Sequence, residues 1–159
     1  MSATAGSSYE EIPWQGFALY LTHPNHLTAL ARLFAMTPPE IATCRVLELG
    51  CAQGDNLIPM AASLPGARFV GIDLSPRHIA EGRAAIAELG LENIELRVQD
   101  ILDVSPGLGS FDFIVAHGAI PGCQSRSESR CSAFATWPWR LTAWHSSATI
   151  PIPAGPCAR

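Results

Sequence analysis

Residues 46–55 read VLELGCAQGD. The apolar run from Val46 to Leu49 carries a single charge, Glu48, and closes on Gly50, with a second glycine at Gly54. A short run of this kind ending in glycine predicts a strand buried on both faces, turning tightly at its end.

Downstream, residues 55–66 (DNLIPMAASLPG) predict a helix with Pro59 tolerated in its first turn and Pro65-Gly66 as its stop. Residues 67–75 (ARFVGIDLS) predict a second strand. Ser75 then suits an N-cap and Pro76 the first helical position. The helix continues through Ile79, Ile86 and Leu89 to Gly90, a C-terminal cap. Residues 93–100 (NIELRVQD) alternate like a third strand, 104–110 (VSPGLGS) form a loop, and 111–118 (FDFIVAHG) a fourth strand. Strands alternating with helices predict an α/β fold built on a parallel sheet, with helices on both faces.

Upstream, residues 23–36 predict a helix with Leu27, Leu30, Ala31 and Phe34 on its buried face. His23 and His26 flank and cap it, since no further ligand pattern supports a metal. Residues 1–22 are expected to be a loose lead anchored by Tyr9, Trp14, Phe17 and Tyr20.

Composition narrows the class. The chain has 159 residues, 48% of them hydrophobic, which suits one globular domain. The start MSATAGSSYEE lacks a secretory pattern, so the expected compartment is the cytoplasm. Five cysteines without a C-x-x-C pair predict free thiols. The net charge of −4 is too small to call for nucleic acid, and no apolar run calls for a membrane. The charge is divided unevenly. Residues 1–118 hold six Arg against thirteen acids, and residues 119–159 hold four Arg against one.

Ligands of open parallel sheets bind beyond the carboxyl ends of the strands. Those ends carry Glu48-x-Gly50-x-Ala52-x-Gly54, then Asp73, then Asp100. The glycines let a ligand approach the backbone, and a pyrophosphate or a carboxylate could sit on the helix amides. A plain tight turn explains them equally well. Asp73 lies roughly 20 residues on, where an acid meets ribose hydroxyls. It could equally be an acid flanking a positive helix end. Asp100 is placed to accept from an adenine amino group, or to be a solvated loop acid. Together the three favour an adenosine-containing ligand. A nicotinamide enzyme is disfavoured, because G-x-G-x-x-G is missing and Glu48 would repel a pyrophosphate. An acid there suits an ammonium, and S-adenosylmethionine carries one without any phosphate.

VLELGCAQGDNLIPMA, FVGIDLSPRHIAEG, NIELRVQDIL and FDFIVAHG resemble class I S-adenosylmethionine-dependent methyltransferases. They are most similar to a bacterial branch that carries a methyltransferase regulatory domain and includes protein-lysine methyltransferases. SYEEIPW (8–14) and THPNHL (22–27) resemble that branch too, so the likeness covers residues 8–118. It implies a Rossmann-like sheet of which the first four strands are recognisable, and S-adenosylmethionine as cofactor. Glu48, Gly50 and Gly54 would line the methionine end, with Cys51 in the same loop as a small buried residue rather than a nucleophile. Asp73 would hold the ribose with Leu74 beside the adenine, and Asp100 and Ile101 would frame the adenine. His117 would arrive near the methyl donor, although a histidine there more often packs or hydrogen-bonds. Ala52 departs from a common glycine, and Gln53 and Asp55 from smaller residues. The acceptor implied is a protein lysine, whose amine must be neutral to attack. No residue in 1–118 stands out as its base.

The likeness stops at Gly118. Residues 119–159 show neither helical nor strand periodicity, yet hold three of the four tryptophans. The branch continues with segments like VYSWVP and later SYNTYPGW. Restoring one base near codon 119 permits both in a shifted frame, so a one-base deletion is expected; a divergent tail is the alternative. The chain then divides into a lead (1–22), a partial methyltransferase domain (23–118) and an out-of-frame tail (119–159). Weak or absent donor binding and no turnover are expected of it. The competing function is an inactive adenosine-binding or interaction fragment.

Overall fold

A computed structural model describes residues 16–104 and 108–116. His117 and the 119–159 tail lie outside the described residues, as do the anchors Tyr9 and Trp14.

The described chain contains three α-helices and four strands. Helix α1 (Pro24–Leu33) comes first, followed by β1 (Arg45–Leu49), α2 (Leu57–Ser63), β2 (Arg68–Asp73), α3 (Pro76–Glu88), β3 (Ile94–Val98) and β4 (Phe113–Ala116). All strand pairs are parallel and their order is β3-β2-β1-β4. The chain thus steps outward from β1 twice, then crosses back to pair β4 with the other side of β1. Glu48 lies in register with Gly71 on one side and Val115 on the other. The reversal falls at the carboxyl end of β1, where an open α/β sheet takes its ligand.

Successive right-handed crossovers in one direction put their helices on one face. Accordingly Leu57, Met60 and Ala61 of α2 share a core with Ile79 and Ile86 of α3 and with Val46, Phe69, Leu96, Phe113 and Val115 of the strands. The opposite face departs from expectation. Leu47, Leu49 and Ile72 there are covered by Ile101, Val104, Leu108 and Phe111, which lie on the long β3–β4 connection rather than on an α-helix.

The predicted caps form. Ser75 Oγ accepts from the His78 amide at 3.3 Å, and Pro76 opens α3. Gly90 closes it at φ +64°. The Gly90 amide bonds Ala87 O and the Leu91 amide bonds Ile86 O (3.2 Å each), the paired bonds of a Schellman end. His23 caps α1 through its Nδ1, which accepts from Asn25 N. The buried stripe of α1 is shifted from the expected one. Pro24, Thr28 and Ala31 are buried, whereas Leu30 is exposed and Phe34 is 72% exposed. Helix α1 ends at Leu33, so Phe34 leaves the helical face.

Residues 19–22 are joined to this body, although Phe17 and Tyr20, expected as anchors, are largely exposed. Leu19 and Thr22 hydrogen-bond to Asn56 at the start of α2. No described helix is long and apolar enough to cross a membrane.

Candidate functional site: the carboxyl ends of β1, β2 and β3

The loop after β1 is held by its own amides. Gly50 N and Cys51 N both donate to Ile72 O (2.8 and 3.0 Å), Ala52 N donates to Asp73 Oδ2 (2.9 Å), and Gly54 N donates to Cys51 O (2.8 Å). These four donors already have protein acceptors, so the loop offers no phosphate cradle from them. Gly50, Ala52 and Gly54 have φ of +72°, +47° and +84°. Ala52 therefore stands in left-handed backbone, which glycine adopts more readily. Its buried amide bond to Asp73 keeps it there.

Glu48 is 3% exposed. Its Oε1 accepts from Asn56 Nδ2 at 2.8 Å, and its Oε2 is buried without a partner. Burial raises its pKa to about 7, the Asn56 hydrogen bond opposes that, and the nearby Asp55 charge adds to it. A buried acid with one unpartnered oxygen offers an acceptor suited to a cationic donor.

Asp73 is also buried, and both its oxygens take backbone amides, Oδ2 from Ala52 and Oδ1 from Ser75 (2.9 Å each). It ties the glycine loop to the start of α3. Leu74, the next residue, is 62% exposed. Asp100 is half-buried beyond β3, and its carbonyl accepts from Asp103 N at 3.0 Å. Ile101 packs on the second-face core with Leu47, Leu49 and Ile72. Cys51 is buried, and burial pushes its thiol well up, as it pushes Cys44 to about 11. Both thiols are free and neutral, which makes a nucleophilic role for Cys51 unfavourable. Gln53 Nε2 donates to Asp55 Oδ2 at 2.8 Å, so the two unusual loop residues satisfy each other.

Sequence reasoning missed two residues that shape the site. Asn56 occupies the N-cap of α2 but makes no capping bond; its side chain serves Glu48 and the 19–22 segment instead. Gly82 is the other. A Cβ there would strike Gln53 O and Leu96, so its missing side chain lets α3 lie against the glycine loop. An isolated glycine inside an otherwise sound helical pattern was the available signal. Among the described residues, no group of three or more His, Cys, Asp or Glu is placed to hold a metal.

A family profile described as a methyltransferase domain matches residues 41–135, and the chain belongs to this family. Within it, the fold is that of class I S-adenosylmethionine-dependent methyltransferases. The uncharacterized protein RP789 of Rickettsia prowazekii is 45% identical over 112 residues, 70% of this chain and 20% of that protein. PKMT2 from Rickettsia typhi, solved in complex with AdoHcy, superposes with a TM-score of 0.65 at 37% identity, covering 67% of this chain and 20% of that one. Human EEF1A lysine methyltransferase 2 is 34% identical over 73 residues, 46% of this chain and 30% of that protein. The match thus spans about a fifth of the length of RP789 and of PKMT2.

Proposed function

We propose that this chain carries the donor-binding half of an S-adenosylmethionine-dependent protein methyltransferase, with a lysine amine as acceptor. The observation that carries the donor assignment is Glu48, whose unpartnered, buried Oε2 lies at the switch point of the sheet. Its natural partner is the ammonium of the methionine moiety. The cofactor, when bound, supplies an electrophilic methyl on a sulfonium.

The remaining residues shape the place for it. Gly50 and Gly54 take the left-handed backbone that turns the loop just after Glu48, and Cys51 packs into the helix-covered core behind it. Asp73 fixes the loop and retains lone pairs that a ribose hydroxyl can use. Leu74 offers an exposed apolar face at the end of β2, suited to one side of an adenine. Asp100, just beyond β3, is the residue proposed to accept from the adenine amino group. Ile101 contributes by holding the β3–β4 connection against the sheet. His117 is included for its position just after β4. The lysine acceptor is supported by the likeness to EEF1A lysine methyltransferase 2.

This geometry favours measurable donor binding over the weak or absent binding expected from the tail. Calorimetric titration of the chain with S-adenosylhomocysteine tests it. Binding that falls roughly 10- to 100-fold in Glu48→Gln supports the reading, as expected for loss of a charge-assisted bond. Absence of binding by the unaltered chain at millimolar ligand contradicts it. The acceptor is tested separately, by transfer of a labelled methyl from S-adenosylmethionine to a lysine-bearing protein.

The division at residue 118 is a further proposal, carried by the sequence. The coding DNA near codon 119 decides it, since a restored base either opens the VYSWVP and SYNTYPGW frame or does not.

A further inference from the structure

We propose that Asn56 is a positioning residue that latches the 17–22 segment onto the end of β1 and, through the same amide, sets which Glu48 oxygen faces a ligand. The inference rests on the donor-binding role of Glu48 and extends it to the segment in front of the first helix.

Asn56 is 7% exposed, and its amide group is fully engaged. Its Oδ1 accepts from Leu19 N at 2.9 Å. Its Nδ2 donates to Glu48 Oε1 at 2.8 Å and to Thr22 Oγ1 at 3.1 Å. The Thr22 hydroxyl donates onward to Leu19 O at 2.9 Å, so its oxygen is left to accept. A flipped amide would set Oδ1 against the Glu48 carboxyl and Nδ2 against the Leu19 amide. The donor–donor contact with the Leu19 amide repels whether or not Glu48 is ionised, so that amide fixes the orientation.

Three consequences follow from that orientation. Glu48 Oε1 is claimed by Asn56, which leaves Oε2 as the oxygen for a cation. The 19–22 backbone is docked over the loop only while Asn56 is in place. Gly16 adds a close approach, since a side chain there would collide with the Asp55 carboxylate. Glu48 and the latch therefore share one hydrogen-bonding group. A change at either end is felt at the other, as linkage requires. The charged or titratable groups reaching Glu48 are Asp55 and the neutral Cys51 thiol, and Asn56 is the donor that opposes them.

The test uses the full 159-residue chain and three readouts. The first is hydrogen exchange across residues 16–23 without ligand. The second is the Glu48 carboxyl titration, followed by carbon NMR. The third is affinity for S-adenosylhomocysteine. Asn56→Ala is expected to speed exchange in 16–23 at least tenfold while β1 and β2 amides keep their protection. It should also raise the Glu48 midpoint by roughly one pH unit, because the bond favouring the charged form is gone. Thr22→Val is expected to speed the same exchange but leave the Glu48 midpoint in place, because the Asn56–Glu48 bond survives. Both variants should bind S-adenosylhomocysteine several-fold more weakly. Exchange in 16–23 that is unchanged in either variant overturns the latch. A Glu48 midpoint that moves equally in both overturns the positioning role and leaves general loosening. If Asn56→Ala does not fold, Thr22→Val alone decides the latch by exchange. If the unaltered chain does not bind the ligand, the donor reading fails while the first two readouts still decide the latch.

Discussion

Glu48 is a carboxyl group held out of water next to an acid, and its pKa near 7 follows from that placement. Below the ordinary carboxyl range, folded and unfolded chains both carry the proton, and Glu48 exacts no penalty. As pH rises toward 7 the unfolded chain loses its proton while the folded chain keeps it. Stability without ligand therefore falls across that window, by on the order of 3 kcal/mol from this group. Glu48→Gln removes the slope, so the variant is expected to be the more stable protein at pH 7.5 and nearly equal at pH 4, measured by denaturant unfolding. Equal stability at both pH values would remove Glu48 as a strained group. Ala52 offers a second test. Its left-handed φ costs roughly 1 kcal/mol or more, and its buried methyl returns about as much. Ala52→Gly should lie within about 1 kcal/mol of the original, whereas Ala52→Val should cost more than 2 kcal/mol, since a branched side chain resists that backbone.

The elements hold the loop from two sides. Gly82 lets α3 touch Gln53 O, and Arg83 forks onto Leu96 O with bonds of 2.9 and 2.7 Å, fixing α3 to β3. Asn93 Nδ2 reaches the carbonyls of Ala61, Leu64 and Ala67, which closes the end of α2 onto the start of β3. Gly82→Ala gains helix propensity of about 1 kcal/mol but drives a methyl into a backbone carbonyl. The net expectation is a loss of 1–3 kcal/mol together with weaker S-adenosylhomocysteine binding, read by thermal unfolding and calorimetry. A variant with unchanged stability would show that α3 does not brace the loop. The four strands, the Ser75 cap and the Gly90 end were legible because each rests on local signals of period, capping and backbone sign. Asn56 was not, because its role comes from residues 34 and 37 positions away, Thr22 and Leu19. The stripe of α1 was misjudged for a similar reason. The period marks an amphipathic face but not where the helix stops.

At the scale of the molecule, the described sheet runs β3-β2-β1-β4 with its switch point beside β1. One face is a helix-covered core, and the other is covered by the β3–β4 connection. The described residues proposed for the donor come from the carboxyl edge, and the chain spans about a fifth of RP789 and of PKMT2. Donor binding and methyl transfer are therefore separable, and the donor half is where the account commits itself. A bound ammonium stabilises ionised Glu48, so binding near pH 6.5 must release a proton. The most direct measurement is calorimetry of S-adenosylhomocysteine binding from pH 6 to pH 8, on the chain and on Glu48→Gln. The account predicts affinity about tenfold higher at pH 8 than at pH 6, with proton release, and weaker, pH-independent binding by the variant. Equal affinity for both proteins at every pH would contradict it.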